Sequence, residues 1–397
     1  MDDQPRKNVK DLLAESKDTS ELMVDLAYAA VFFNDEDLAE EVDRLEEMMD
    51  GYLADLQWIS MLAARSPEDA EGMGGVLHIA GAVEKIGDAA ADIARVVTAR
   101  LGLPDALRAD LRHADEIVGR VKVREDAEAV GRTLRQLTLP TETGMWLIAV
   151  RRGTEWEFDP GPESVVSDGD VLLYQGPEEG VNLLRQVAGA PALPMPPETE
   201  SMPLTELDRA VDILVEMKNS AEVAVGLAYS SLLLGEPALA AEVATLEARS
   251  DMLHDELESW VLRASPEARN PDELRGLLRL GYATEVIFDA ARDMTRLVER
   301  GEELHPVVAA ALQASEEVAV EALVEPGAPA VGKTLKQLSL ETETGMLALA
   351  VQRGRRWIYR PRPLLELREG DRVICIGPEE GIPGLEMLVR PSTTART

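Results

Sequence analysis

Apolar residues along the first hundred positions recur three to four apart, the spacing that lays them on one face of an α-helix. The pattern predicts amphipathic helices over about residues 8–35, 37–65 and 68–102, with a shorter one over 104–117. In the third, Ile79, Ile86, Ile93 and Val97 form a single apolar stripe. Ser66-Pro67 and Gly102-Leu103-Pro104 supply the breaks between helices. The period then changes. "EIVGRVKV" alternates as a strand, "RTLRQL" is a short helix, and "MWLIAVRR" is apolar and β-prone. Gly153 turns the chain, "EWEF" returns, and "DGD" is a turn ahead of the strand "VLLYQG". "PEEGVNLLRQVAG" opens a closing helix, with proline early and acids in its first turn.

The same succession follows again. "GRTLRQLTLPTETGMWLIAVRRG" (131–153) and "GKTLKQLSLETETGMLALAVQRG" (332–354) agree at 15 of 23 positions, 201 residues apart. "SDGDVLLYQGPEEG" (167–180) aligns with "REGDRVICIGPEEG" (368–381) at that offset. So do "LAYAAVFFNDEDLAEEV" (26–42) with "LAYSSLLLGEPALAAEV" (227–243), and "EKIGDAAADIARVV" (84–97) with "EVIFDAARDMTRLV" (285–298). One offset held over so many anchors is a tandem duplication. The chain divides into a helical repeat (8–117), an α+β domain (118–188), a Pro-rich linker (189–203), a second helical repeat (204–315) and a second α+β domain (316–390). A chain that carries both copies of a self-pairing unit can build a pseudo-twofold dimer within itself. That predicts a binding surface between the two copies.

Composition narrows the function classes. Of 397 residues 45% are hydrophobic but only 4% aromatic, so the core is built from Ala, Leu, Val and Ile, as suits helix bundles. The formal charge is −34 and only 8 of the 40 basic residues are lysine. So acidic a surface argues against binding a nucleic-acid backbone or anionic lipid heads, and suits a protein dissolved in high salt. Cys375, the single cysteine, cannot form an intrachain disulfide and reads as a small buried hydrophobe. The N-terminus has no apolar h-region and no window approaches 18 consecutive apolar residues, which predicts a cytoplasmic protein. Of the four histidines, His78, His113, His254 and His305, none sits in an HExxH spacing. No nucleophile elbow or Walker loop is present, and "EGMGG" (71–75) lacks the strand that a dinucleotide fingerprint needs. The expectation is a non-enzymatic protein.

"VGRTLRQLTLPTETGMWLIAVRRG" followed by "GDVLLYQGPEEGVNLL" resembles the TrkA C-terminal domain, also called RCK-C, and the second copy carries the same residues. "EKIGDAAADIA" is similar to the signature helix of PhoU-type three-helix repeats, with Ala89 where a histidine is common and with Val286 and Phe288 departing in the second copy. The resemblance implies an α+β multidomain fold, a PhoU-like helical bundle plus two RCK-C-type domains with pseudo-twofold duplication. It implies a cytosolic regulatory subunit of a potassium- or magnesium-type cation transporter or channel, peripheral to the membrane through that partner. No nucleic-acid partner is expected, and a homodimer stays open.

Two candidate sites follow. RCK-C-type domains take small effectors, cyclic di-AMP among them, at the dimer seam. An apolar cradle for the bases and an arginine fork for the phosphates are the chemistry required. Leu147, Ile148, Arg152 and Phe158, with Ala348, Leu349, Arg353 and Tyr359 in the second copy, are the candidates, the two arginines expected to face each other across the twofold axis. The second site is acidic. Glu84, Asp88 and Asp92 recur every four residues on one helix face, and Glu46 and Asp50 repeat the spacing on the preceding helix. Glu247, Asp251, Glu285, Asp289 and Asp293 are their second-copy counterparts. Oxygen ligands of this kind suit divalent metals or iron clusters, as in PhoU-like proteins. With 74 acidic residues in the chain, solvated acidic faces are expected in any case. A PhoU-like metal-binding or phosphate-signalling protein is therefore the rival reading, and an adaptor without ligand a third.

Overall fold

A computed structural model describes residues 7–104, 107, 117–193, 205–266, 271–302 and 304–391. Most of the helix expected over 104–117, with His113, and most of the linker lie outside the described residues. The chain forms two compact units, each interleaved from both halves: residues 1–111 with 203–316, and 112–202 with 317–397.

The first unit is helical. Its first repeat is α1 (Val9–Phe33), α2 (Glu36–Ala63) and α3 (Pro67–Thr98). Its second is α7 (Glu206–Leu234), α8 (Pro237–Ala264) and α9 (Pro271–Glu299), followed by the short α10 (Pro306–Leu312). The boundaries follow from local chemistry. Asn8, Asp35, Ser66 and Thr205 accept backbone N–H bonds as N-caps, and Pro67 occupies the first turn of α3, where a missing N–H costs nothing. Asn34 and Gly235 close α1 and α7 in left-handed conformations, φ 50° and 61°. The two repeats meet along α3 and α9, and α1 and α7 both touch α10. The predicted stripe of Ile79, Ile86, Ile93 and Val97 is buried to the last residue. Ala27, Ala29, Ala30, Ala90, Ala91 and Ala94 are fully buried around it, which lets helix backbones approach closely.

A pseudo-symmetric polar lock lies inside this bundle. Lys17 and Lys218, equivalent under the repeat, are 2% and 4% exposed. Each ammonium meets a carboxylate one turn on, Lys17 with Glu21 at 2.6 Å and Lys218 with Glu222 at 2.5 Å. Each also lies over an aromatic ring of the opposite repeat, Lys17 over Tyr229 at 5.1 Å and Lys218 over Tyr28 at 5.6 Å. Tyr28 Oη lies 2.9 Å from Thr284 Oγ1, and burial pushes the Tyr28 hydroxyl up to about 12.

The second unit holds two α+β domains. In the first, β1 (Ile117–Lys122), α4 (Leu134–Leu137), α5 (Leu139–Thr143), β2 (Trp146–Arg152), β3 (Glu155–Phe158), β4 (Val171–Gly176) and α6 (Glu178–Val187) follow in order. The second repeats them as β5 (Glu317–Leu323), α11 (Leu335–Leu338), α12 (Leu340–Thr344), β6 (Leu347–Arg353), β7 (Arg356–Tyr359), β8 (Arg372–Pro378) and α13 (Ile382–Val389). Each sheet is antiparallel, ordered β1-β4-β2-β3 and β5-β8-β6-β7. One sheet face packs on the helices. Val121, Leu172, Tyr174 and Leu184 form that core in the first domain; Ala322, Val373, Cys375 and Leu385 form it in the second. Cys375 is fully buried and its thiol is pushed up to about 12 by desolvation, the state of an inert structural cysteine.

Candidate functional site

The two α+β domains meet each other, as the duplication predicts. The contact is made by α5 and α12, five-residue helices in the same place in each copy. Both are entered through a left-handed residue, Thr138 at φ 45° and Ser339 at φ 48°, and both end at a left-handed glycine, Gly144 at φ 73° and Gly345 at φ 70°. The glycines are required twice over. Their φ suits glycine, and a Cβ on Gly144 would stand 2.9 Å from the carbonyl oxygen of Glu341 in the other domain. A Cβ on Gly345 would stand 2.9 Å from the carbonyl oxygen of Pro140. The seam is thus a backbone-to-backbone approach around a local twofold axis. Thr143 and Thr344 hold their sides of it, each hydroxyl donating to the carbonyl four residues back and accepting from the N–H two residues on, that of Met145 or Met346. At the rim the symmetry breaks. Lys336 reaches Glu179 across the seam at 3.9 Å, whereas its counterpart Arg135 pairs with Glu163 at 2.8 Å inside its own domain.

None of the eight candidate effector residues lies on the two touching helices. Leu147 and Ala348 pack against the helix-covered core of their own domains. Ile148 and Leu349, next along the strands, are 4% and 2% exposed. Phe158 stacks on Trp156 and Tyr359 on Trp357, at 5.7 and 5.9 Å, along the edge strands. The two arginines are bound inside their own domains. Arg152 donates through Nε and Nη2 to both oxygens of Asp170, at 3.0 and 2.9 Å, and through Nη2 to the Val165 carbonyl. Arg353 repeats this with Asp371, at 2.8 and 2.6 Å, and the Glu366 carbonyl. Each aspartate is 1% exposed, and its hydrogen bonds hold the paired guanidinium above its ordinary pKa. The physical reason is the turn "DGD" (168–170), "EGD" (369–371) in the second copy, which delivers a buried carboxylate under the strand end, where bidentate pairing outcompetes solvent. The residues that make the seam, Gly144, Gly345, Pro140 and Glu341, are not among the candidates that the sequence singles out. Their signal is the shared "TETGM", a one-turn helix closed by glycine.

The acidic stripes are assembled but not as a metal cage. Glu84 and Asp88 are raised above ordinary carboxylate values, first by partial burial and then by neighbouring acids of α2 and α3. Glu247, Glu285 and Asp289 are raised for the same reasons along α8 and α9. Basic residues take up other members. Arg95 pairs with Glu46 at 2.6 Å and Asp92 at 3.0 Å. Asp293 pairs with Lys85 at 2.7 Å and Arg296 at 2.6 Å, and these cations hold it low against the opposing effect of burial. Among the described residues, no three His, Cys, Asp or Glu side chains converge on a point where a metal would sit. The described histidines have structural partners. His78 Nε2 lies 2.9 Å from the Asp293 carbonyl, and His305 caps α10 by accepting from Val307 N–H.

The chain thus combines a duplicated three-helix bundle with two paired α+β modules, a tandem helical and α+β architecture. Family models match both parts. The TrkA-C domain matches residues 118–189 and 319–390, and the PhoU domain matches 13–97 and 214–298. The protein is a tandem PhoU and TrkA-C domain protein. Both are regulatory rather than catalytic domains. Among solved structures, the RCK_C domain dimer of S. agalactiae BusR in complex with c-di-AMP is 25% identical over 18% of this chain and 95% of that one, with a TM-score of 0.18. BusR in complex with its busAB-promotor DNA is matched over only 35% of its chain. PhoU from Pseudomonas aeruginosa is 14% identical over 73% of this chain and 93% of that one, TM-score 0.40. The GsuK channel bound to NAD is 14% identical over 77% of this chain and 65% of that one, TM-score 0.18. No functionally curated relative matches the chain. Among the described residues no helix is long and apolar enough to cross a membrane.

Proposed function

We propose that this protein is a cytosolic regulator of cation transport that binds a small effector at the paired TrkA-C domains and passes the change to a membrane transporter or channel subunit. The observation that carries the reading is the α5–α12 seam, which supplies within one chain the domain pair that TrkA-C modules otherwise obtain by dimerising. A ligand bound across the seam acts only through different affinities for two relative orientations of the domains. Cyclic di-AMP is the first effector to try, because its own twofold symmetry fits a pseudo-symmetric pair. Its phosphates would have to compete with Asp170 and Asp371 for Arg152 and Arg353, so the site is one that rearranges on binding. The acidic stripes are not needed by this reading.

Isothermal titration of the full chain with cyclic di-AMP, NAD and magnesium tests the proposal. Binding of a nucleotide that is lost in Gly345→Leu, which wedges the seam, supports it. Silence toward all three ligands removes the sensor reading. Stoichiometric iron, zinc or manganese in the purified protein, lost in Asp88→Asn/Asp92→Asn, would instead favour the PhoU-like metal-binding alternative.

A further inference from the structure

The duplicated domains differ most in the charge of one equivalent segment. Residues 152–171 hold one arginine and six acids; residues 353–372 hold seven arginines and three acids. Both segments include the edge strand of their sheet, β3 in the first domain and β7 in the second. Each edge strand pairs on one side only, which leaves its outer row of backbone groups available to another strand. On β3, Glu155 and Glu157 are exposed and form no ion pair among the described residues. In the other segment Arg355 and Arg356 at the start of β7, and Arg362 just after it, are exposed and likewise form none. A protein of charge −34 has thus placed three arginines without an ion pair among the described residues along one sheet edge and its hairpin, and two such glutamates on the equivalent edge of the sister domain.

We propose that these edges are two halves of one contact, β3 of one copy pairing antiparallel with β7 of a second copy. The register that sets Glu157 opposite Arg356 also sets Trp156 opposite Trp357 and Phe158 opposite Arg355. That gives an opposite-charge pair on one face and an aromatic pair on the other. The contact is heterologous, so identical charges never oppose each other, as they would if β3 met β3 or β7 met β7. The net negative charge opposes association at long range, but at about 0.15 M salt the screening length is about 8 Å, shorter than the molecule and longer than an ion pair. This inference does not depend on the effector reading.

Charge swapping tests it. Sedimentation velocity at about 0.15 M salt compares wild type, Arg355→Glu/Arg356→Glu (both edges acidic) and Glu155→Arg/Glu157→Arg (both edges basic). Wild type is expected to exceed the mass of one 43.3 kDa chain as concentration rises. Each variant alone should associate at least about tenfold more weakly, and an equimolar mixture of the two should recover association. All four substitutions are at exposed positions, and circular dichroism checks that each variant folds. A wild type that stays at one chain, variants that associate as wild type does, or a mixture that stays apart would overturn the proposal. So would an unchanged mass profile together with loss, in the acidic-edge variant, of binding to duplex DNA or to phosphatidylglycerol vesicles, which assigns the arginines to another occupant.

Discussion

A glycine with positive φ can be needed for its backbone angle alone or also for the space it leaves. Gly144 and Gly131 separate the two cases. Both lie near φ 75°, at 73° and 78°, but a Cβ on Gly131 meets nothing within 4 Å, whereas one on Gly144 meets the Glu341 carbonyl. Gly131→Ala should therefore cost only the left-handed penalty of about 1–2 kcal/mol. Gly144→Ala should add about 1–3 kcal/mol of overpacking at the seam, read as a lower denaturant midpoint. Equal losses at both positions would mean that the seam is not in contact. The glycine was visible in "TETGM", but the close approach was not, because sequence reports a residue's angles more readily than its distant neighbours. Arg152 shows the same limit. Its strand-end position was legible; its commitment to Asp170, 18 residues on, depends on the "DGD" turn folding beneath it.

At the scale of the helices, the periodicity of the apolar positions fixed the bundle. The stripe on α3 is buried as read, because burial follows from amphipathic spacing alone. The polar lock was not legible, since Lys17 and Lys218 interrupt apolar faces and meet their tyrosines only across the pseudo-axis. Lys17→Met should destabilise the helical unit by about 1–3 kcal/mol, because it leaves the partly buried Glu21 carboxylate without its cation. The double variant Lys17→Met/Glu21→Leu should recover most of that loss. Thermal melts of the pair decide; a double variant as weak as the single one contradicts the argument.

The acidic stripes make a pH prediction of definite sign. Glu84, Asp88, Glu247, Glu285 and Asp289 have folded pKa values above their unfolded ones. The folded state thus takes up protons first, and stability should rise as pH falls from 7 towards the ordinary values of 4.5 for Glu and 3.8 for Asp. Asp293 runs the other way; its contribution is present above 3.8 and is lost as pH falls below it. At pH 7, Asp88→Asn should stabilise by about 0.2–0.5 kcal/mol for each like-charge pair relieved. A melting temperature that falls steadily from pH 7 to 5 would contradict this reading of the stripes.

For the whole molecule, the tandem repeat was the most informative feature of the sequence. It carried the domain order, the internal pairing and the place to look for a site. What it does not carry is the divergence between the copies: shared residues mark the repeat, and the opposite charges at the equivalent edges are not shared. The same duplication sets the stoichiometry of the proposed function. If the seam is the effector site, each chain holds one complete site and needs no second copy to form it. Titration of cyclic di-AMP into the protein across a range of protein concentrations measures this. The account predicts one ligand per chain at every concentration, with an affinity that does not follow self-association. One ligand per two chains, or no binding at any concentration, would contradict it.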